Sequence, residues 1–367
     1  MILFTDKKDC CGCTACAESC PRGAITMTPD PEKGFLYPVI DQTACIGCGI
    51  CKRVCPMHRA DHCKTDGFPE FYMAKHRETG VRMASTSGGA FTALSDAMLA
   101  RGGVIYGALW DEHWRVVHGR AEDAAGRDKM RVSKYVQSDL WGIFKQVKAD
   151  LRAGREVLFT GTPCQTAGLR SYIARGSRED GEKLVLCDLL CYGVPSPRIW
   201  EDYKALLRAE HPGATNFRFR TKQIPWSRAS SNLSFFFSDG AGQDHNDSRF
   251  YELFFNRKCI SRESCGACPY CDTRRPSDLT IADYWGVEKY APEQYDPTGV
   301  SVILCSTEKG AALLKQAESA LHLERRDPAE QLAEQGRLHE PVPRGEGEQQ
   351  FWEDLKTKPL AAFFEEE

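Results

Sequence analysis

The sequence repeats one cysteine pattern, as CCGCTACAESCP at residues 10–21 and as CIGCGICKRVCP at residues 45–56. Both copies read C-x2-C-x2-C-x3-C-P, the bacterial ferredoxin spacing in which the fourth cysteine ligates the other cluster. The repeat therefore predicts two 4Fe-4S clusters. Their ligand sets would be Cys10, Cys13, Cys16 and Cys55 for one cluster, and Cys45, Cys48, Cys51 and Cys20 for the other.

Paired zinc sites and a disulfide framework are the alternatives for such a cysteine-rich segment. Zinc sites usually show two C-x2-C pairs rather than two runs of four cysteines followed by proline. Cys11 and Cys63 fall outside the repeat and are not expected to be ligands. The 18 cysteines of a chain without a leader favour metal ligation in a reducing compartment.

Length and charge narrow the class of protein. At 367 residues the chain is much longer than a small ferredoxin and can bury a further core. A formal net charge of -3 with mixed signs gives no reason to expect nucleic acid as a partner. The N-terminus lacks a long apolar core, and no stretch approaches the roughly 20 apolar residues of a membrane span. We therefore expect a cytoplasmic protein without membrane insertion.

The chain divides into a ferredoxin domain over residues 1–60, a polar linker over 61–69, a second domain over 70–326 and a charged tail over 327–367, which is irregular until Phe351-Trp352. In the first domain, residues 24–27 and 35–39 are predicted strands. In the second, strands and helices alternate, which is typical of an α/β layer architecture. The expected fold class is α+β overall, a bacterial-type ferredoxin domain followed by a mixed α/β domain.

The hydrophobic pattern predicts the main elements of the second domain. Predicted strands cover residues 104–109, 156–160, 184–190 and 300–304, and predicted helices cover 89–101 and 139–151 and begin near Pro163, Pro197 and Glu308. The alternating, aromatic segment 216–237 predicts an antiparallel portion.

Three hydroxyl residues and two glycines, Ser85 to Gly89, stand at a predicted helix start. Unpaired backbone N–H groups and the helix dipole suit such a place to phosphate, although an ordinary serine N-cap is the commoner role. The sequence has neither a G-x-G-x-x-G after a strand nor a G-x4-G-K-[ST] motif. Any nucleotide would therefore be bound in another way.

Further cysteines follow predicted strands of the second domain. Cys164 and Cys191 should lie at the carboxyl edge of the sheet, where ligand sites of α/β proteins gather, although buried free cysteines are common. Cys259, Cys265, Cys268 and Cys271 form a local C-x5-C-x2-C-x2-C run. Four such thiols can hold zinc or a third iron–sulfur cluster.

The second domain carries an ordered series of motifs: Ser85 to Gly89, Ser133-Lys134-Tyr135, Gly161 to Gln165, Asp188 to Gly193, Cys265 with Cys268, and Asp283 to Gly286. With these motifs the chain resembles the coenzyme F-420 hydrogenase/dehydrogenase beta-subunit family, in the bacterial branch that has a fused two-cluster ferredoxin domain. The resemblance implies an FAD-containing iron–sulfur oxidoreductase with a flavin-binding catalytic domain.

The resemblance also implies site residues. The expected FAD envelope consists of Ser85, Ser87, Gly88, Gly89, Ser133, Lys134, Tyr135, Gly161, Thr162 and Pro163. Four thiols match family positions and would ligate a third 4Fe-4S cluster: Cys164, Cys191, Cys265 and Cys268. The competing set uses the local run, with Cys259 and Cys271 in place of Cys164 and Cys191. Asp283 and Tyr284 are candidate acid–base residues.

Because clusters transfer single electrons and most organic reductions need two, a flavin is the expected converter. The predicted function is therefore an FAD-dependent oxidoreductase that passes electrons between a redox partner protein, such as ferredoxin or a reductase, and a small-molecule acceptor or donor. Two alternatives remain open. One is an electron-transfer adaptor without a substrate of its own. The other is a redox sensor that uses Cys11, Cys63 or Cys187 as reactive thiols.

Overall fold

The computed structural model describes residues 2–229 and 235–364. The ferredoxin domain is small and has a two-stranded antiparallel sheet between its two cysteine runs. Its elements are a 3-10 turn at Lys7–Asp9, α1 (Ala15–Glu18), β1 (Ile25–Pro29), β2 (Leu36–Ile40), α2 (Ile50–Val54) and α3 (Ala60–Cys63).

The second domain begins with β3, and its first half alternates strands and helices. The elements are β3 (Glu70–His76), α4 (Thr79–Met83), α5 (Ala90–Ala100), β4 (Val104–Trp110), β5 (Val116–Ala121), α6 (Ala124–Asp128), α7 (Ile143–Arg152), β6 (Val157–Gly161), α8 (Pro163–Ile173), α9 (Arg178–Lys183), β7 (Leu184–Leu189) and α10 (Pro197–Glu210).

Its second half is more irregular. The elements are β8 (Thr215–Phe219), β9 (Phe235–Ser238), β10 (Asp244–Asn246), α11 (Arg249–Tyr251), a π-helical turn at Glu252–Asn256, 3-10 turns at Glu263–Ala267, Pro292–Gln294, Glu318–Ala320, Gly336–Leu338 and Leu360–Phe363, β11 (Leu279–Asp283), α12 (Val287–Tyr290), β12 (Ser301–Cys305), α13 (Glu308–Ala317), β13 (Leu321–Arg326), α14 (Pro328–Glu334) and α15 (Glu348–Asp354).

An eight-stranded mixed sheet organises the second domain, in the order β13-β3-β12-β11-β7-β6-β4-β5. The four central strands β11, β7, β6 and β4 are parallel, and the flanking strands pair antiparallel. Apolar runs such as Val157 to Phe159 and Leu184 to Leu186 are buried, as expected for strands covered on both faces. The carboxyl ends of the parallel strands therefore share one edge.

Helices α5 and α8 begin beside this edge, and the residues at their N-termini favour the start of a helix. At α8, Pro163 occupies the first helical turn, and the amide of Thr162 donates to Gln165 Oε1 at 3.0 Å in a capping box. At α5, Gly89 is the N-cap with a φ of 89°, a left-handed conformation that glycine adopts readily. Both helix N-termini consequently lie at the carboxyl edge of the sheet.

The segment predicted to contain an antiparallel portion forms a separate three-stranded sheet, β8, β9 and β10, with residues 230–234 outside the described residues. An aromatic core packs this sheet against α10, with Trp200, Phe219 and Phe235 among its buried members. The chain between the predicted domains is packed rather than free, because the amide of Thr65 donates to Arg275 O at 2.7 Å.

The C-terminal segment differs from the sequence expectation. Predicted to be irregular up to Phe351-Trp352, it instead forms α14 within that stretch, and α15 includes Phe351 and Trp352. Phe351 and Trp352 of α15 are buried in the aromatic core, and Trp352 Nε1 donates to Cys259 O at 2.8 Å. Few apolar residues in a charged segment suffice to anchor it when the core offers matching contacts. No helix in the described part of the chain combines the length and apolarity needed to cross a membrane.

Candidate functional site: thiol cavities and a large cleft

Two small cavities lie within the ferredoxin domain, and each is lined by four of the repeat cysteines. One is lined by Cys10, Cys13, Cys16 and Cys55, together with Cys11. The other is lined by Cys20, Cys45, Cys48 and Cys51. The structure thus brings the cysteines together in the same two sets that the spacing predicts, with Cys20 and Cys55 each crossing to the other run.

A third thiol cavity lies between the ferredoxin domain and the second domain. Cys164 contributes from the first turn of α8, and Cys191 from the loop after β7. Cys265 and Cys268 come from the 3-10 turn at Glu263–Ala267 and its C-cap. The set predicted from the resemblance therefore converges on one cavity.

The competing set is divided. Cys271 lines the third thiol cavity, but Cys259 is buried in the aromatic core, where its Sγ contacts Leu253 O at 3.5 Å. Cys11, expected from the sequence to be uninvolved, also lines this cavity. Among the described residues, no three Cys, His, Asp or Glu side chains are grouped closely enough to bind a single metal ion.

The thiols of the third cavity are strongly affected by burial. Burial raises the pKa of the Cys191 thiol, and it raises the pKa of the Cys265 thiol to about 12, with repulsion from neighbouring thiolates adding to the effect. A hydrogen bond with Cys268 lowers the pKa of the Cys271 thiol. Buried thiolates are unfavourable unless a cation compensates their charge. This set of buried sulfur donors therefore fits a positively charged iron–sulfur core.

The thiols considered as redox sensors are all buried: Cys11, Cys63 and Cys187 are at most 4% exposed. Burial raises the pKa of the Cys63 thiol and of the Cys187 thiol. Reactive thiols are usually accessible and have a lowered pKa. These three side chains offer neither property.

A large cleft of about 520 Å³ opens at the carboxyl edge of the parallel strands. It includes the ends of β6 and β7, the Ser85 to Gly89 loop and the N-terminus of α5, the usual location for ligands in α/β folds. Most of the residues expected to contact FAD line the cleft: Ser85, Ser87, Gly89, Ser133, Lys134, Tyr135, Gly161 and Thr162.

Two residues of that expected set lie elsewhere. A side chain at Gly88 would meet Ala74 O at 2.6 Å and Ser301 N at 2.7 Å, so this position faces the sheet. Because Gly88 has no side chain, the loop that contains it can approach β12 closely. The amide of Gly88 donates to Ser301 Oγ at 2.9 Å. Pro163 lines the third thiol cavity rather than the cleft.

The charge of the cleft is mostly positive. Its basic lining residues are Arg131, Lys134, Arg220, Arg228, Lys258 and Arg337, and Asp283 is the one acid among the described lining residues. Asp283 Oδ2 accepts from Arg220 at 2.9 Å, and its Oδ1 accepts from Trp226 Nε1 at 2.7 Å. The paired acid leaves an electropositive cleft that suits an anionic ligand.

Tyr284, the other acid–base candidate, lies away from the cleft. Its ring is fully buried in the core beneath β12, and its hydroxyl donates to the Glu330 carboxylate. Burial raises the pKa of Tyr284 above its ordinary value. The side chain is therefore a structural partner of α14.

His118 is a cleft residue that the sequence did not indicate. It is 5% exposed, its Nε2 lies 2.9 Å from Thr160 O, and Nδ1 has no partner among the described residues. Burial lowers the pKa of His118 to about 4, so the ring is neutral at pH 7 and its Nε2 donates to the carbonyl. Nδ1 is then an unused acceptor in the wall of the cleft.

Arg337 is a second such residue, supplied by the C-terminal segment. It is 8% exposed, and its Nε and Nη1 have no hydrogen-bond acceptor among the described residues. Gln335, Val342 and Pro343 from the same segment also line the cleft. No motif in the charged tail signals this contribution, which depends on how the tail folds back.

The cavities adjoin one another. Cys11 lines both the inner ferredoxin cavity, formed around Cys10, and the third thiol cavity. Cys191 and Arg337 line both the third thiol cavity and the large cleft. The structure therefore contains a continuous series from the inner ferredoxin cavity through the third thiol cavity to the cleft.

Comparison with known proteins assigns both parts of the chain. Residues 154–331 match the family model for the C-terminal part of the coenzyme F420 hydrogenase/dehydrogenase beta subunit, and residues 9–58 match the 4Fe-4S dicluster domain. The matched part of the second domain is thus similar to the coenzyme F420 hydrogenase/dehydrogenase beta subunits. The resemblance inferred from the sequence motifs is thereby confirmed.

The fold of the chain also has a solved counterpart. A chain from the xenon-derivatized F420-reducing [NiFe] hydrogenase complex of Methanosarcina barkeri aligns with a TM-score of 0.50 at 15% identity, over 81% of this chain and 95% of that chain. This likeness concerns the fold alone. No curated protein matches the sequence. The chain is an iron–sulfur electron-transfer protein related to the beta subunits of this family.

Proposed function

We propose that the protein is an FAD-dependent iron–sulfur oxidoreductase that passes electrons between ferredoxin-type 4Fe-4S clusters and a small two-electron substrate. The observation that carries the proposal is the position of Cys191, which lines both the third thiol cavity and the large cleft. A ligand in the cleft would lie directly against a cluster held by Cys164, Cys191, Cys265 and Cys268. Electron transfer between two such groups would need no further relay.

The residues of the cleft fit FAD. The N-termini of α5 and α8 present backbone N–H groups, and Arg131 and Lys134 add positive charge beside them, a combination suited to a pyrophosphate. Ser133 lies within the same wall, where its Oγ accepts from Thr86 Oγ1 at 3.3 Å. A bound FAD would supply the exchange between one-electron transfer from the clusters and two-electron chemistry on a substrate.

Other side chains that line the cleft would orient the ligand. The neutral His118 ring offers Nδ1 as an acceptor to an N–H group. Both oxygens of Asp283 already accept hydrogen bonds, from Arg220 and Trp226. Asp283 is therefore better suited to holding Arg220 in position than to taking up a proton.

The partner that we propose is an acidic electron carrier such as ferredoxin, which docks at the outer cluster. Cys48 is exposed, and Ile46 beside it is 63% exposed, so the second ferredoxin cavity lies close to the surface. Arg22, Lys52 and Arg53 are exposed around it. Complementary charge would speed the encounter and orient the carrier.

Anaerobic reconstitution with iron, sulfide and FAD tests the proposal. Three clusters of four irons predict about twelve irons per chain, retained with about one FAD after gel filtration. Cys265→Ser should lower the iron content to about eight while leaving the two ferredoxin clusters. If the unmodified chain retains about eight irons and no flavin, the electron-transfer adaptor replaces the oxidoreductase as the best description.

A further inference from the structure

Arg262 is a fully buried arginine at the junction of the two domains. It is 1% exposed and immediately precedes the 3-10 turn that carries Cys265. Its Nε donates to Cys10 O at 2.8 Å, and its Nη2 donates to Leu36 O at 2.9 Å. A side chain of the second domain thus reaches into the first cysteine run of the ferredoxin domain.

The guanidinium also contacts the ligand sulfur itself. Nη2 lies 3.8 Å from Cys10 Sγ, and the guanidinium stacks 4.2 Å from the centre of the Tyr37 ring. Nη1 donates to Gln137 Oε1 at 2.9 Å, and Gln137 in turn donates to Cys11 O at 2.9 Å. Its acceptors among the described residues are therefore neutral oxygens and one cysteine sulfur, with no carboxylate among them.

A buried cation requires a counter-charge. A 4Fe-4S core with four thiolate ligands is anionic, and Cys10 belongs to the set around the inner ferredoxin cavity. Reduction adds one negative charge to such a cluster. A fixed positive charge in contact with a ligand sulfur stabilises the reduced form more than the oxidised form.

The outer ferredoxin cavity has a different environment. It is lined by Cys20, Cys45, Cys48 and Cys51, and Arg22 is the charged residue of its wall among the described lining residues. Arg22 is exposed to solvent, where water screens its charge. The wall of the inner cavity holds one acid, the half-buried Asp9, but its ligand sulfur Cys10 Sγ is contacted by the buried Arg262 guanidinium, so the two clusters would experience unequal electrostatic fields.

We propose that Arg262 raises the reduction potential of the inner cluster, held by Cys10, Cys13, Cys16 and Cys55, above that of the outer cluster. One electron then passes from the outer cluster to the inner cluster. The outer cluster becomes oxidised and the inner cluster becomes reduced, and no proton is transferred. Arg262 also lines the third thiol cavity, so the electron is drawn towards the second domain. The inference rests on the ferredoxin ligand sets of the proposed function and is independent of FAD.

Redox titration monitored by EPR tests this role in the full chain. Cys48→Ala serves as the background, because it removes a ligand of the outer cluster and keeps the inner cluster. Removing the charge with Arg262→Gln should lower the reduced-to-oxidised ratio of the inner cluster at fixed potential at least tenfold, or about 59 mV for a one-electron couple. Gln137→Glu should act in the same direction, because a carboxylate beside Nη1 neutralises the guanidinium without removing its packing.

Two variants serve as controls. Arg262→Lys keeps the charge and should restore a ratio within threefold of the unmodified chain. Arg198→Gln removes another interdomain hydrogen bond, from Arg198 Nη1 to Glu32 O at 2.6 Å, and should leave the potential unchanged. Iron content is measured for every variant. If Gln137→Glu and whichever Arg262 variant assembles both leave the inner cluster's ratio within threefold, or if Arg262→Lys shifts it as far as Gln137→Glu, the assignment is overturned.

Discussion

Glu18 of the ferredoxin domain accepts a hydrogen bond from the backbone amide of Gly142 in the second domain, at 3.0 Å from Oε1. Its Oε2 accepts from the amide of Lys145 at 2.9 Å. Amides in the first turn of a helix have no partner within the helix, so a carboxylate there both fills their hydrogen bonds and meets the positive end of the dipole. The ferredoxin domain thus caps α7 of its neighbour.

Replacing Glu18 with Ala should destabilise the junction of the domains. The change leaves buried amide donors of α7 unpaired, at a cost of about 1–3 kcal/mol in the free energy of unfolding. Anaerobic urea unfolding followed by far-UV circular dichroism measures it. Glu182→Ala removes an exposed ion pair with Arg178 and serves as the control, expected within about 0.5 kcal/mol of the unmodified chain. Equal effects of the two changes would contradict the capping role.

Single Ser variants should separate the two ligand sets for the third cluster. Cys164→Ser and Cys191→Ser should each remove about four irons, because both thiols line the third cavity. Cys259→Ser should keep the full iron content, since Cys259 is buried in the aromatic core. Iron loss from Cys259→Ser alone would favour the local run instead.

A carboxylate introduced into the cleft should expel an anionic ligand. Ser133 lines the cleft and accepts from Thr86 Oγ1, so Ser133→Asp keeps an acceptor there while adding negative charge. FAD affinity should fall at least about tenfold, or about 1.4 kcal/mol, with both ferredoxin clusters retained. Fluorescence titration with FAD measures the affinity.

The matched control is Ser133→Asn, which has nearly the same size as Asp and no charge. Its affinity for FAD should stay close to that of the unmodified chain. Equal losses in the Asp and Asn variants would attribute the effect to size and remove the electrostatic explanation. Gly88→Asp would be a poorer probe, because a side chain there collides with the backbone of β3 and β12.

FAD affinity of the flavin-free protein should fall as pH rises above 7. Burial lowers the pKa of Lys134 to about 7, so the side chain loses its charge through this range while the diphosphate remains ionised. The loss can reach about tenfold per pH unit for one coupled proton. Lys134→Gln should bind FAD more weakly and with a flatter pH profile. An unchanged profile in this variant would contradict the role of Lys134.

The same shift predicts the pH dependence of stability. The native pKa of Lys134 lies below the unfolded value, so the unfolded chain binds more protons between the two, and stability rises with pH over that interval. Burial also lowers the pKa of Lys222 to about 7, which adds to the rise. Urea unfolding of the flavin-free protein at pH 7 and pH 9 should show a smaller increase for Lys134→Gln than for the unmodified chain. Equal increases would argue that burial does not disfavour the charged form of Lys134.

Local patterns in the sequence were enough to predict much of the fold. The apolar runs at β6 and β7 and the proline at the start of α8 specify strands and a helix through short-range chemistry. Helix α7 begins at Ile143 rather than at the predicted residue 139, because Gly142 adopts a φ of 81° and takes its cap from the ferredoxin domain. Such a contact between distant segments leaves no local signal.

The residues of the candidate site also fall into two groups, those that local sequence predicts and those that contacts between distant segments bring into place. Strand-end positions place Cys164 and Cys191 at one sheet edge, which the sequence order predicts. Arg337 reaches the same region only because α14 and the following turn fold back over the sheet. Its hydrogen-bonding environment depends on residues far apart in the chain, and composition gave the tail no distinguishing motif.

We propose that electrons entering at the ferredoxin domain reach a flavin in the large cleft. The most direct measurement is the anaerobic, stopped-flow reduction of protein-bound FAD by reduced ferredoxin, comparing the unmodified chain with Cys48→Ala. We predict that flavin absorbance bleaches in the unmodified chain and that its rate falls at least about tenfold in the variant, although the variant still binds FAD. Equal rates in the two proteins, or a chain that binds no FAD, would contradict the claim.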